Sequence, residues 1–285
     1  MNAILILTKL TFREAGRRRI MLAGLILGIS FVAIFSTGFH FILEQIRSVA
    51  ENAAPSQGIA NIANTESMNG FLMAGLYAIT FLSIAMAALL AADTLAGEIN
   101  SGTIQTIVTK PIHRSEVVLG KWLGFAGLLG LYILLLAGGI VLSVYLQTGY
   151  VPNHLMSGLA LIYLEALVIM TITLMCSAAF PALATGGIVF GLYGLAFIGG
   201  WMEQIGTVVQ NDTAVKIGII TSLIIPSETL WRRAAFEMQT PLAGILGGNP
   251  FGAISVPSVL MIVYAVLYLV VMLTSSIRIF QKRDL

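Results

Sequence analysis

Long apolar runs alternate with shorter polar stretches along the whole chain. Each run is close to the roughly 20 residues that a helix needs to cross the hydrocarbon core of a bilayer. The runs cover residues 20–43, 70–92, 122–146, 155–179, 182–202 and 255–277. This pattern predicts an all-α integral membrane protein with six transmembrane helices in a single domain, residues 1–285.

The composition supports this class and removes others. Charged residues make up 10% of the chain and hydrophobic residues 58%, whereas soluble domains carry about 25% charged residues. No polar stretch is long enough for a soluble nucleotide-binding domain, and the P-loop sequence G-x4-GK-[ST] is missing. We therefore expect no enzyme activity, no cofactor bound by this chain and no nucleic-acid partner. The single cysteine, Cys176, excludes an internal disulfide framework.

The basic residues are distributed unevenly among the polar stretches. Eleven lie in the N-terminal segment, in the 93–121 loop or in the C-terminal tail, and four lie in the stretches between. Because basic residues concentrate on the cytoplasmic side of membrane proteins, both termini and the 93–121 loop are predicted to be cytoplasmic. Six spans with both ends inside are self-consistent.

The 93–121 loop contains a short helical pattern. Ile104, Ile107 and Val108 recur at i, i+3 and i+4 and form one apolar stripe, which Pro111 ends. Ser115 is then predicted to cap the third span, with Glu116 in its first turn. A short apolar-striped helix outside the bilayer fits a groove on a soluble partner.

The same loop carries a spaced motif, E-x3-GT-x7-P-x2-R-x6-K, with an Asp five residues before the Glu. It resembles the cytosolic loop of ABC-2-type ABC transporter permeases, including those of nitrous-oxide-reductase maturation and related bacterial exporters. The resemblance implies a coupling helix that contacts a separate ATP-hydrolysing subunit, on which ATP and Mg would bind. The implied contact residues are Asp93, Glu98, Gly102, Thr103, Ile104, Ile107, Val108, Pro111, Arg114 and Lys121.

The family further implies a translocation unit of two permease subunits, the same or different, in a bacterial or archaeal cytoplasmic membrane. Residues 1–19 read as an amphipathic helix with a basic end at Arg13, Arg17, Arg18 and Arg19. Two interpretations remain open for this segment. It is either an interfacial helix on the cytosolic leaflet that reaches toward the ATPase, or the basic flank of the first span.

The outer segment 203–254 contains a second unusual pattern. Its apolar part, Ile217–Ile225, is too short to span and is predicted to be re-entrant or interfacial. A helix should begin near Pro226 and lie at the outer surface, with Trp231, Arg232 and Arg233 at the headgroup level. We favour a surface anchor for these three side chains over a contact with substrate.

Glu165 is the only carboxylate well inside a predicted span. Since a charge there costs at least about 2.5 kcal/mol, it should face the bundle interior, a wet cavity or a partner chain. It either fixes helix packing or lines a translocation path. His40 and His154 are isolated in the sequence, so we expect no metal site, and His113 is more easily a contact residue than a ligand.

Small residues repeat along several spans, as at Gly24/Gly28, Gly120/Gly124 and Gly187/Gly191, and predict close helix packing within the subunit or at a dimer seam. The function indicated by the sequence is a permease subunit that couples ATP hydrolysis by a partner to substrate export. Two alternatives remain: ATP-driven force transmission to an extracytoplasmic partner, and a proton-coupled secondary transporter that uses Glu165. An intramembrane enzyme is disfavoured because no H-E-x2-H or G-x-S-x-G occurs.

Overall fold

The computed structural model describes residues 3–52, 57–100, 113–240 and 251–282. Within these ranges the chain forms ten helices and no strand. In chain order they are α1 (Ala3–Arg17), α2 (Arg19–Asn52), α3 (Gln57–Ala92), α4 (Thr94–Asn100), α5 (Arg114–Thr148), α6 (Leu155–Ala179), α7 (Ala182–Val209), α8 (Asp212–Ile224), α9 (Ser227–Met238) and α10 (Leu260–Lys282).

The prediction of an all-α protein with six membrane-crossing helices is confirmed. Among the described residues, six helical segments are long and apolar enough to cross a bilayer. They are Arg19–Ser48, Thr65–Gly97, Arg114–Thr148, Leu155–Ala179, Ala182–Val209 and Leu260–Lys282. Several helices run beyond their apolar runs; α3, for example, begins at Gln57, although its apolar run begins near residue 70. Polar helical turns therefore extend beyond the hydrocarbon-length segment.

Helix α6 lies at the centre of the bundle and α2 at its edge. The most apolar stretch of α6 is 67% buried within the chain, whereas that of α2 is 11% buried and that of α10 is 17% buried. The core around α6 is built from fully buried side chains of α3, α5 and α6, such as Leu76, Leu136 and Ile169. The apolar outer faces of α2 and α10 suit contact with lipid or with another membrane chain.

Helices α8 and α9 form a bent helix pair with an angle of 106° between them. Asn211 caps α8, because its side-chain oxygen accepts hydrogen bonds from Thr213 N at 3.1 Å and Ala214 N at 3.2 Å. A Cβ atom added at Gly218 would lie 2.6 Å from the carbonyl oxygen of Gly199 on α7. Glycine at these positions therefore allows the backbones of α7 and α8 to approach closely.

The prediction that α9 lies at the outer surface is wrong for two of its three expected anchors. Trp231 and Arg232 are each only 1% exposed. The Trp231 ring packs against that of Tyr77 on α3, with centroids 4.9 Å apart. The third residue, Arg233, is partly exposed, pairs with Glu237 at 2.5 Å and lies over the ring of Phe236. Helix α9 is therefore a largely buried element, and Glu203 on α7 supplies the opposite charge to its buried Arg232.

Candidate functional site

One end of the bundle, which we call the α1 end, brings together segments that are distant in the sequence. A buried apolar cluster joins α1, α4, the start of α5, the last part of α6 and the end of α10. Its members are Leu7, Leu95, Val117, Val118, Leu174, Ala178 and Phe280. The two sides of the predicted coupling loop, α4 and the start of α5, thus share one small core.

Helix α1 packs tightly against the first turns of α5. A Cβ atom added at Gly120 would lie 2.5 Å from Leu7 Cβ, and one added at Gly124 would lie 2.8 Å from Thr11 Cβ. Leu7, Thr11 and Ala15 form the buried stripe of α1. The predicted pair Gly120/Gly124 therefore packs helices within the subunit, and α1 is attached to α5 along its length.

Helix α4 is held by a side chain from α6. Ser177 Oγ accepts hydrogen bonds from the backbone N–H groups of Leu95 and Ala96, each at 3.2 Å. These N–H groups lie in the first turn of α4, where a helix has no internal acceptors for them. Ser177 is fully buried, so this cap fixes the direction in which the chain leaves α3 toward the loop.

Arg114 contacts the end of α10. Its guanidinium donates hydrogen bonds to the carbonyl oxygens of Gln281 at 3.1 Å and Phe280 at 3.5 Å. The cap of α5 differs from the prediction, since His113, not Ser115, occupies the N-cap position. The helix begins two residues earlier because Glu116 Oε2 accepts a hydrogen bond from His113 N at 3.0 Å. The prediction that Glu116 lies in the first turn is confirmed.

The remaining predicted contact residues have different environments. Asp93 is exposed, and Lys121 is 5% exposed beside a small polar recess that Thr11, Glu14 and Thr94 also line. The side chain of Glu98 lies outside the described residues. So do six other predicted contact residues: Gly102, Thr103, Ile104, Ile107, Val108 and Pro111.

The predicted basic end of α1 is surface-accessible. Arg13, Arg17 and Arg19 are exposed. Arg18 is partly buried and pairs with Glu14, with Nη2 2.7 Å from Oε1. The start of α1 packs on α5 at the same end of the bundle as the contact of Arg114 with the end of α10, and the basic end of α1 lies further along α5, where Gly16 lies next to Leu128.

A buried polar core lies between α3, α6, α7 and α9. Glu165 is 0% exposed, and within the described residues neither of its carboxylate oxygens has a hydrogen-bond partner. Glu228 on α9 and Tyr193 on α7 lie in the same buried region. Of the three environments expected for Glu165, this position agrees with the bundle interior.

Tyr77 connects the elements around this core. Its hydroxyl donates a hydrogen bond to Glu228 Oε1 at 3.3 Å and accepts one from Trp201 Nε1 at 3.3 Å. Three helices, α3, α7 and α9, therefore meet at one hydroxyl group. Sequence reasoning missed this cluster because Tyr77 and Trp201 lie in apolar runs, where an aromatic residue is ordinary.

A second polar contact locks the bent helix pair to α7. Arg232 Nη1 lies 2.6 Å from Glu203 Oε1, and Arg232 Nη2 donates a hydrogen bond to Glu203 Oε2 at 2.9 Å. Ser255 Oγ also donates to Glu203 Oε1 at 2.8 Å. Two contacts between nearly fully buried side chains thus hold α9 against α7, one of them a charge-assisted hydrogen bond.

In the first half of α3, Asn69 connects the loop between α5 and α6 to the end of α9. Its side-chain nitrogen donates hydrogen bonds to the Tyr150 hydroxyl at 2.8 Å and to the Met238 carbonyl oxygen at 3.0 Å. Burial raises the pKa of the Tyr150 hydroxyl, and the nearby Glu66 carboxylate raises it further, whereas the Asn69 hydrogen bond opposes this. The Tyr150 hydroxyl therefore remains neutral at physiological pH. The hydrogen bond from Asn69 to Met238 joins α3 to the end of α9.

Comparisons with known proteins agree with the fold. A family profile described as "ABC-2 family transporter protein" matches residues 5–285. Two curated relatives, from Stutzerimonas stutzeri and Pseudomonas aeruginosa, carry the name "Probable ABC transporter permease protein NosY". They are 37% identical over 67 residues and 38% identical over 65 residues.

These local matches are short compared with the family match. They cover 24% and 23% of this chain, and 24% of each relative, so the chain matches only about a quarter of the length of these proteins. The family match, in contrast, covers nearly all of the chain, including the six membrane-crossing helices. The chain therefore belongs to the ABC-2 family of transporter proteins.

Proposed function

We propose that this chain is the permease subunit of an ABC exporter and that its α1 end docks a separate ATPase subunit. ATP and Mg would bind to that partner, which the family implies in general. The observation that carries the proposal is the shared core of α1, α4 and the start of α5 on both sides of the 101–112 segment. A displacement of that segment would be transmitted to two membrane-crossing helices through packed side chains.

Transmission of this displacement requires rigid contacts between the helices. Gly120 and Gly124 attach α1 to α5, Ser177 fixes α4 on α6, and Arg114 attaches the start of α5 to the end of α10. Closure of the ATPase pair would therefore displace several helices together as a rigid body. Coupling of this kind needs two arrangements whose balance is biased by ATP binding.

The moving helices border the buried polar core, so we place the translocation path beside Glu165. A carboxylate without a hydrogen-bond partner in the described structure is costly in an apolar interior unless another state hydrates it or pairs it. Opening of the bundle between α3, α6 and α7 would supply that state. The cytoplasmic orientation of both termini and the assembly from two permease subunits belong to the same proposal.

Co-purification and charge reversal test the proposal together. The intact chain, extracted in mild detergent, should bring down a P-loop ATPase, and Glu98→Lys should uncouple ATP hydrolysis from transport without loss of the folded permease. Glu44→Lys, an exposed glutamate in the last part of α2, is the matched control and should leave coupling unchanged. Recovery of the permease without any ATPase, or unchanged coupling in Glu98→Lys, would contradict the proposal.

Force transmission to an extracytoplasmic partner is a second candidate, and a specific observation favours it. The bent helix pair is tied to α3 through Tyr77–Glu228 and through Asn69–Met238. Movement of α3 would therefore displace α8 and α9. If this candidate is right, Tyr77→Phe should reduce activation of the partner while ATP hydrolysis continues. A transporter driven by protons through Glu165 would instead work without any ATPase.

A further inference from the structure

An apolar groove opens between the first turns of α2 and the last turns of α3, at the α1 end. Its α2 wall includes Ala23 and Leu27, and its α3 wall includes Phe81 and Leu89. The groove has a volume of about 360 Å³, within the range of roughly 300–1,000 Å³ that is typical of ligand pockets. The hydroxyl of Tyr132, which also lines the groove, already donates a hydrogen bond to the Gly24 carbonyl oxygen at 3.2 Å. The groove thus offers its occupant an apolar surface.

Exposed basic side chains lie at one end of this groove. Arg17 and Arg19 are exposed where α1 joins α2. Because residues four positions apart share a helix face, Arg19 lies on the same side of α2 as Ala23. Arg18, between them, is paired with Glu14 and adds no free charge. On the α3 side, the acidic residue nearest in sequence is Asp93, four residues after Leu89. Arg17, Arg19 and Asp93 together carry a net positive charge.

We propose that this groove holds an acyl chain of an anionic phospholipid, whose phosphate is bound by Arg17 and Arg19. Ile20, which precedes Ala23 and Leu27 on the α2 wall, marks the basic end. From Ile20 to Leu27 the wall rises about 10 Å at 1.5 Å per residue, which fits within one leaflet of a core about 30 Å thick. The apolar wall would thus lie along the acyl chain, and the basic end would lie at the phosphate of the headgroup.

Native mass spectrometry of the full chain tests this assignment. The chain in detergent is titrated with phosphatidylglycerol or phosphatidylcholine of identical acyl chains. We expect phosphatidylglycerol to bind more tightly, by about fivefold for each arginine that contacts the headgroup. Arg17→Gln and Arg19→Gln should each remove about that factor, and Ala23→Phe should abolish the tight binding by filling the groove.

Two matched variants separate a built site from a general effect. Arg47→Gln removes an exposed arginine from the last part of α2, and Ala33→Phe adds the same ring at an exposed position of α2 that is not part of the groove. Neither should change the preference for phosphatidylglycerol. A preference that survives Ala23→Phe, or that falls equally in Arg47→Gln, would overturn the proposal.

A measurement on the unmodified chain keeps the test valid if Ala23→Phe does not fold. Phosphatidylglycerol with a photoreactive group on its acyl chain should label the peptides that contain Ile20–Leu27 and Phe81–Leu89. Labelling spread evenly over α2, α7 and α10 would overturn the site. The proposal would also be overturned by a dimer that persists in the mass spectrum without bound lipid and is lost in Ala23→Phe. A second copy of the chain would then occupy the groove.

Discussion

Arg232 and Glu203 form an ion pair in the interior of the bundle, with Arg232 Nη1 2.6 Å from Glu203 Oε1 and the arginine side chain only 1% exposed. The pair joins α9 to α7, and both of its side chains are nearly fully buried. Its value lies in fixing the bent helix pair, because a buried ion pair gives little net stability over a well-packed apolar pair.

Arg232→Met should destabilise the protein strongly. Removal of one partner leaves Glu203 charged and uncompensated in the interior, which costs about 3–5 kcal/mol. The measurement is the midpoint of chemical or thermal unfolding in detergent. The control is Arg233→Met, whose arginine is more exposed and bonds to Glu237 within the same helix; it should cost clearly less than Arg232→Met. Restoration of stability by adding Glu203→Gln to Arg232→Met would establish the cause, whereas equal losses in the two single variants would refute it.

Gly124→Val should detach α1 from α5. The added side chain meets Thr11 and the Thr8 carbonyl oxygen, and overpacking of this kind costs about 1–3 kcal/mol. Limited trypsin digestion should then cut faster at Lys9, and ATP hydrolysis should become uncoupled from transport. Gly138→Val on the same helix is the control, because a Cβ atom there meets nothing within 4 Å. If trypsin sensitivity is the same in both variants, the glycine contact does not hold α1.

Ser177→Ala should weaken the coupling region while leaving the bundle intact. It removes the acceptor for two N–H groups in the first turn of α4, a loss of about 1 kcal/mol. Hydrogen exchange at Leu95 and Ala96 should rise, and coupling should fall. Ser275→Ala is the matched control, since that hydroxyl is exposed and bonds within its own helix to Val271. Unchanged exchange at Leu95 would show that the cap contributes nothing.

Glu165→Met should separate structural from functional importance at this site. Replacement of a buried polar group that has no hydrogen-bond partner by an apolar one of similar size is often neutral or stabilising, so the unfolding midpoint should be kept or rise. Transport should nevertheless fall if Glu165 lines the path. Thr173→Val, a buried change on the same helix whose hydroxyl donates a hydrogen bond to the Ile169 carbonyl oxygen, should leave transport unchanged. Full transport by Glu165→Met would remove the functional role.

The membrane architecture could be predicted because hydrocarbon imposes a length on each span and excludes charge. Both constraints act on one segment at a time, so local composition is enough to find the spans. The inward position expected for Glu165 followed from the same cost, and its 0% exposure agrees with it. Whether a single charged side chain faces away from lipid is likewise decided by the composition of its own helix.

The bent helix pair could not be predicted in the same way. Two adjacent arginines beside a tryptophan suit the headgroup level when α9 is considered alone. The partner that allows Arg232 to be buried is Glu203, which lies 29 residues earlier on another helix. Similarly, the cap of α4 comes from Ser177, at the far end of α6. Pairings between distant residues depend on the packed structure, and no local pattern encodes them.

The seam between α1 and α5 has a consequence for how the protein is made. Leu7 and Thr11 leave the ribosome before Gly120 and Gly124, the residues they pack against, which are synthesised about a hundred residues later. Chains are made from the N-terminus at roughly 5–20 residues per second, so α1 waits several seconds without its neighbour. Helix α1 is thus translated well before the surface that buries it, and a nascent chain stalled before the third membrane-crossing helix would leave the stripe of Leu7, Thr11 and Ala15 exposed.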